Sequence, residues 1–94
     1  MEDNGHIELP VDGTLDLHYF PPREISTLVP DYLEACMEKG ICQVRIVHGK
    51  GTGILRGRVH AILKDLDCVA SFSLAGDGAG GWGATIVKLK TDME

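Results

Sequence analysis

Residues 44–56 read VRIVHGKGTGILR, and the fold is decided there. Val44, Ile46 and Val47 are β-branched, stiff about χ1 and suited to a pleated strand, with Val44 and Ile46 toward the core. Gly49, Gly51 and Gly53 interrupt that run with a loop. From Ile54 onward, Leu55, Val59, Ile62 and Leu63 recur at helical spacing as far as Asp65. Strand, glycine loop and helix in direct succession make an anion site. Glycines let backbone N–H groups approach a ligand, the helix start adds partial positive charge, and His48, Lys50 and Arg56 supply donors. Phosphate is the anion this chemistry suits best. A P-loop places Gly-Lys-Ser/Thr in that order, whereas here Lys50 precedes Gly51 and Thr52, and a dinucleotide loop needs a third glycine where Ile54 stands. The stretch therefore points to phosphate without a nucleotide cofactor.

Working outward toward the N-terminus, Cys42 to Val47 form the strand that feeds the loop. Before it, Ile25, Leu28, Val29, Tyr32, Leu33, Cys36 and Met37 follow a helical stripe, so Pro22 to Lys39 read as an amphipathic helix closed by Gly40. Pro30 inside it is expected to kink or split the helix. Thr14 to His18 alternate as a short strand, with Leu15 and Leu17 on one face and Asp16 and His18 on the other. Residues 1–13 form an N-terminal extension with a short edge segment at Ile7 to Val11, broken by Pro10.

Toward the C-terminus, Gly57 costs the second helix about 1 kcal/mol relative to alanine. A strand follows over Cys68 to Leu74, then a glycine-rich loop over 75–83, then a strand over Ala84 to Lys90 with Val87 and Leu89 inward. Residues 91–94 are a tail, leaving 14–90 as the domain. The order is βαβαββ, an α/β chain folded as an α+β two-layer sandwich with a mixed four-stranded sheet. Right-handed crossovers make strands one to three parallel and put both helices on one face, and the fourth strand returns antiparallel. The carboxyl ends of the first three strands then share one edge, which gathers the His18 turn, the His48 loop and the Gly76 to Gly83 loop.

Composition narrows the class. Ninety-four residues suffice for one core and one domain. No apolar run approaches the roughly 18 residues of a membrane span, and the acidic N-terminus lacks the features of a secretion signal, so a cytoplasmic protein without a membrane partner is expected. Cys36, Cys42 and Cys68 are an odd set without Cys-x-x-Cys spacing, which disfavours disulfides and zinc and suggests reduced, buried thiols. The net charge of −5 is unevenly spread: no acid lies between Glu38 and Asp65, whereas Lys39, Arg45, Lys50, Arg56, Arg58 and Lys64 do. Within a Debye length of roughly 8 Å the local field decides binding, so a basic stripe suits selective contact with nucleic acid.

Three stretches in order, LDLH at 15–18, HGKGTG at 48–53 followed by Leu55 and Arg56, and GGWGATIV at 80–87, resemble the Smr domain, the small MutS-related family. The resemblance spans about residues 14–90. It implies a fold like the C-terminal domain of bacterial translation initiation factor three, and nucleic-acid binding, often with endonuclease activity that nicks or cleaves branched DNA or cleaves RNA. It also implies roles for Asp16 and His18, for His48, Gly49, Lys50 and Gly51, and for the glycines of the third stretch, Gly81 and Gly83 among them. The family commonly carries glycine after the first histidine. Here Tyr19 stands there, a side chain able to narrow the approach to His18.

Phosphodiester hydrolysis needs a base, an acid and cationic or N–H groups around the phosphate. A free imidazole titrates near pH 6.5, so His18 and His48 suit proton exchange, with Asp16 orienting His18 or holding a metal ion. Lys50, Arg56 and the loop amides of Gly49, Gly51, Thr52 and Gly53 suit the phosphate. Simpler readings stand beside these. His48 can close a strand-to-helix turn, Asp16 and His18 can be a solvated strand face, the later glycines a plain hairpin, and Trp82 a plug at the end of the core or a stacking partner for a base. His6 and His60 read as surface residues, as do Arg58 and Lys64, while Arg45, Lys88 and Lys90 offer an extension of the phosphate track. A divalent cation such as Mg is not required: Glu2, Asp3, Glu8 and Asp12 have no defined metal spacing. Oligomeric state is left open, a monomer included. The leading expectation is an endonuclease, a hydrolase acting on DNA or RNA. The alternatives are a non-catalytic nucleic-acid-binding module and a protein-interaction adaptor.

Overall fold

The computed structural model describes residues 11–49, 53–75 and 83–90. Among them the elements are β1 (Thr14–Asp16), α1 (Ile25–Glu38), β2 (Gln43–Val47), α2 (Ile54–Lys64), β3 (Val69–Leu74) and β4 (Ala84–Leu89), with 3-10 turns at Leu17–Tyr19 and Pro22–Glu24. The sheet order is β1-β2-β4-β3. β1 runs parallel to β2, with Leu15 beside Ile46, and β4 runs antiparallel to both β2 and β3. β1, β2 and β3 thus point the same way, as the crossover rule requires, although β4 lies between β2 and β3.

The helices bury one face of this sheet. Ile25, Val29, Tyr32, Leu33 and Cys36 of α1 and Val59 and Leu63 of α2 join Leu15, Val44, Ile46, Val87 and Leu89 in a single cluster. Leu28, Leu55 and Ile62 pack at its margin, and Met37 is exposed. Strand alternation turns Thr14, Lys88, Ser71 and Ser73 away from the helices, and all four are exposed.

Three expectations are corrected. The first strand ends at Asp16 rather than His18, because the Asp16 carboxylate accepts the His18 amide at 2.9 Å and caps a tight turn in place of another ladder bond. Pro30 does not split the helix: α1 is continuous through it. The proline deprives only the Ser26 carbonyl of its partner, and the buried residues on either side, Ile25 and Val29 before it and Tyr32 and Leu33 after, hold the axis together. All three thiols are free, as expected, but only Cys36 is buried. Cys42 is exposed because β2 begins one residue later, leaving it in the connection from α1.

At the amino-terminal end of the sheet Tyr32 ties helix to strand. Its hydroxyl accepts from the Gly13 amide at 3.2 Å and donates to the Thr14 carbonyl at 3.0 Å, while Asp12 Oδ1 accepts the Thr14 amide. Val11 packs against the core beside them, so residues 11–13 are held by the folded unit. Burial pushes the Tyr32 hydroxyl and the Cys36 thiol above their ordinary pKa values.

Candidate functional site

At the carboxyl edge the end of β1 meets the end of β2. The turn that stops β1 brings His18 back over Asp16, whose Oδ1 also accepts from His18 Nδ1 at 2.6 Å. A carboxylate only accepts, so Nδ1 carries the hydrogen, and in the neutral ring the lone pair is at Nε2. That atom rests over Gly49, where an added β-carbon would stand 3.2 Å from it. Gly49 has φ +85°, a conformation that side-chain-bearing residues resist. Glycine is therefore required here twice over, by backbone and by space. The His18 side chain is 60% exposed, so Nε2 is accessible from outside. Tyr19 is 81% exposed and extends into solvent.

His48 faces the other way. It is 4% exposed, its Nδ1–H donates to the Gly49 carbonyl at 3.1 Å, and its Nε2 lies 2.8 Å from Thr85 Oγ1. Both nitrogens are thus occupied below the rim. Burial holds this imidazole below its ordinary pKa, and the Arg56 charge acts in the same direction against the opposing Gly49 carbonyl. The expectation that His18 and His48 exchange protons as equals at the rim is therefore revised: the turns adjoin, but only His18 presents a nitrogen outward. The His48 and Gly49 amides both donate to the Gly83 carbonyl at 2.9 Å, joining the loop to the start of β4. The Gly49 N–H is committed there, so it is unavailable to a phosphate, and Gly83 acts through its carbonyl.

The sequence reading missed two residues. His60, read as surface, sits 2.8 Å from the same Thr85 hydroxyl, packs its ring on Phe72 and meets His48 edge-on. Burial, then the charges of His48 and Arg56, holds it too below its ordinary pKa. The signals were present. Thr85 continues the inward register of Val87 and Leu89, and a hydroxyl at a core position needs a partner. His60 stands four residues after Arg56, on the same side of α2.

The cationic wall is built by α2. Gly53, at φ +88°, starts the helix without a side-chain cap, and the Arg56 guanidinium lies against it: an added β-carbon there would be 2.7 Å from Nη2. Pro22, His48, Gly49, Gly53, Arg56 and Arg58 line a pocket of about 280 Å³ beside the His18 turn. Arg45 and Lys88 alternate with core residues of β2 and β4, so they project from the sheet face away from the helices rather than extending this wall. Lys50, Gly51, Thr52, Gly81 and Trp82 lie outside the described residues, as do His6 and the segment before Val11. Among the described residues no three His, Cys, Asp or Glu side chains converge as a metal-ligand set.

A two-layer α+β domain that collects a carboxylate-oriented histidine, a glycine turn and arginines at the carboxyl edge of its sheet is the class defined by this fold and site. Comparison with known proteins places it more closely. The Smr domain model matches residues 15–90. Endonuclease MutS2 of Clostridium botulinum strain Eklund 17B is 42% identical over 80 residues, covering 85% of this chain and 10% of that protein. The MutS2 of Thermomicrobium roseum is 49% identical over 59 residues, 63% of this chain and 7% of its own length. The chain thus spans about a tenth or less of these relatives. Among solved structures, the Smr domain of Thermus thermophilus MutS2 superposes with a TM-score of 0.78 at 35% identity, covering 84% of this chain and 99% of that one. YdaL, a stand-alone small MutS-related protein from Escherichia coli, gives 0.76 at 30% identity, covering 83% and 64%. The chain belongs to the Smr domain family.

Proposed function

We propose that this domain binds nucleic acid and cleaves phosphodiester bonds, with His18 as the general base and Asp16 as its orienting partner. The supporting observation is the His18 ring itself: Nδ1 is fixed by Asp16 at 2.6 Å and Nε2 is presented beside Gly49 and the arginine-lined pocket. Arg56 and Arg58, with Lys50 from the loop, hold the phosphate. The nucleophile, water or a ribose 2′-hydroxyl, transfers its proton to Nε2 as its oxygen bonds to phosphorus. The bond to the departing oxygen breaks, and the proton returns to that oxygen from Nε2 or from solvent. The relatives named endonuclease MutS2 support a cleaving activity in this chain.

One observation favours a second reading. Because His48 is withdrawn below the rim, a single outward imidazole remains among the described residues, an arrangement that also suits a module that grips phosphate without breaking it. Purified protein assayed on branched DNA, nicked duplex and structured RNA, with and without chelator, separates the two. Cleavage that is lost in Asp16→Ala and His18→Ala, with binding retained, supports catalysis. Binding without turnover on every substrate supports the module.

A further inference from the structure

We infer that His60 and Thr85 are positioning residues for this rim, holding the Gly49 turn through His48 in one fixed direction of hydrogen bonding. The inference rests on the proposed role of His18. Its geometry stands independently of that role.

Each hydrogen in the chain can be assigned. The Gly49 carbonyl only accepts, so His48 Nδ1 must carry a hydrogen, and the neutral ring then has a bare Nε2. Thr85 has one hydroxyl hydrogen and two imidazole nitrogens, His48 Nε2 and His60 Nε2, each at 2.8 Å from Oγ1. The hydroxyl therefore donates to His48, and its oxygen accepts from His60 Nε2–H. The chain runs in one direction, from His60 through Thr85 and His48 to the Gly49 carbonyl. Thr85 is 0% exposed, so no water competes for its hydrogen.

The far end of this chain is the seat of His18. With the Gly49 carbonyl held by His48 and the Gly49 amide held by Gly83, the peptide groups on both sides of that glycine are pinned, and the His18 ring lies directly over it. Three elements thereby fix a group on a fourth: α2 supplies His60, β4 and the residue before it supply Thr85 and Gly83, and the residue after β2 is His48. The groups facing the chain are Arg56 from α2, the uncharged Phe72 from β3, and the Asp16–His18 pair above Gly49. A proton added to His48 makes its Nε2 a donor, which reverses its link to Thr85.

The test reads ring tautomers and turnover separately. Nitrogen-15 NMR of the imidazoles of the intact chain near pH 7.5 is expected to show His48 protonated on Nδ1 and His60 on Nε2. His48 protonated on Nε2, or both rings averaging between tautomers, overturns the inference whether or not the protein cleaves anything. Thr85→Val removes the hydroxyl at nearly constant shape. It is expected to leave His48 Nε2 without its donor, with the Gly49 carbonyl still keeping the hydrogen on Nδ1, and to lower single-turnover cleavage about tenfold, with nucleic-acid affinity changed less than twofold. Thr85→Ser is expected to restore cleavage. His60→Gln, which keeps a donor toward Thr85, is expected to retain activity that His60→Leu loses. Should Thr85→Val fail to fold, the wild-type tautomers and the glutamine–leucine contrast still decide. Equal activity in both His60 variants overturns the proposal. If no substrate is cleaved but the tautomers are as assigned, the nuclease reading fails and the hydrogen-bond chain stands.

Discussion

At the amino-terminal end of the sheet, Tyr32 is fully buried and its hydroxyl accepts from Gly13 and donates to Thr14, with the Asp12 carboxylate a second acceptor at 3.4 Å. At the carboxyl end, His48 is nearly as buried, but its hydrogen bonds lead through Gly49 to a histidine whose side chain is 60% exposed. Both ends meet the requirement that buried polar groups be satisfied. The difference is that the first network ties α1 to the start of β1 at the end away from the rim, and the second terminates beneath the outward-facing His18. The first bears on stability. The second can affect what happens to a molecule outside.

The contrast can be broken most sharply at His18. Replacing it with alanine is expected to lower cleavage by at least about 100-fold while leaving the unfolding midpoint nearly unchanged, since the side chain is largely exposed. Activity and thermal unfolding measured on one preparation check both halves. Tyr32→Phe is the mirror experiment. The buried Gly13 amide loses its acceptor, which costs about 1–3 kcal/mol in chemical denaturation, while turnover per folded molecule stays the same.

Acid distinguishes the ends more gently. His48 and His60 are held below their ordinary pKa by burial, so the unfolded chain binds more protons than the folded one as pH falls below about 6.5. Their contribution to stability is complete above that pH and is lost as pH falls through their folded-state values. The unfolding midpoint is expected to drop between pH 7.5 and 5.5, and to drop less in His60→Gln, which cannot take up the proton. The smallest effect is expected from Arg56→Ala, which should flatten the slope of log affinity against log salt by about one unit, as a single lost phosphate contact does.

Most of this architecture could be read from residue patterns because local and global preferences agree. The β-branched run at 44–47, the glycines after it and the stripe through Val59 and Leu63 each admit one structure, and the core positions Val44, Ile46, Val87 and Leu89 followed from alternation alone. Legibility failed where a side chain competed with the backbone or paired across the chain. Asp16 looks like one more strand residue in an alternating segment, and only its bond to the His18 amide ends the strand. His18 and His48 stood out by their neighbours in sequence, yet their opposite orientations depend on Thr85, 37 positions beyond His48. His60 is marked only by its place four residues after Arg56. A polar residue on a helix reads as solvated until the strand opposite it is known.

The placement of β4 between β2 and β3 has a consequence for how the domain is made. The strand that carries Thr85 and follows Gly83 is the last of the described strands to leave the ribosome, and it must slot between two that are already synthesised. Until it arrives, β2 and β3 each lack a neighbour, and the loop after β2 has nothing to anchor it. Nascent chains are therefore born without a formed rim, and competence comes only with closure of the sheet.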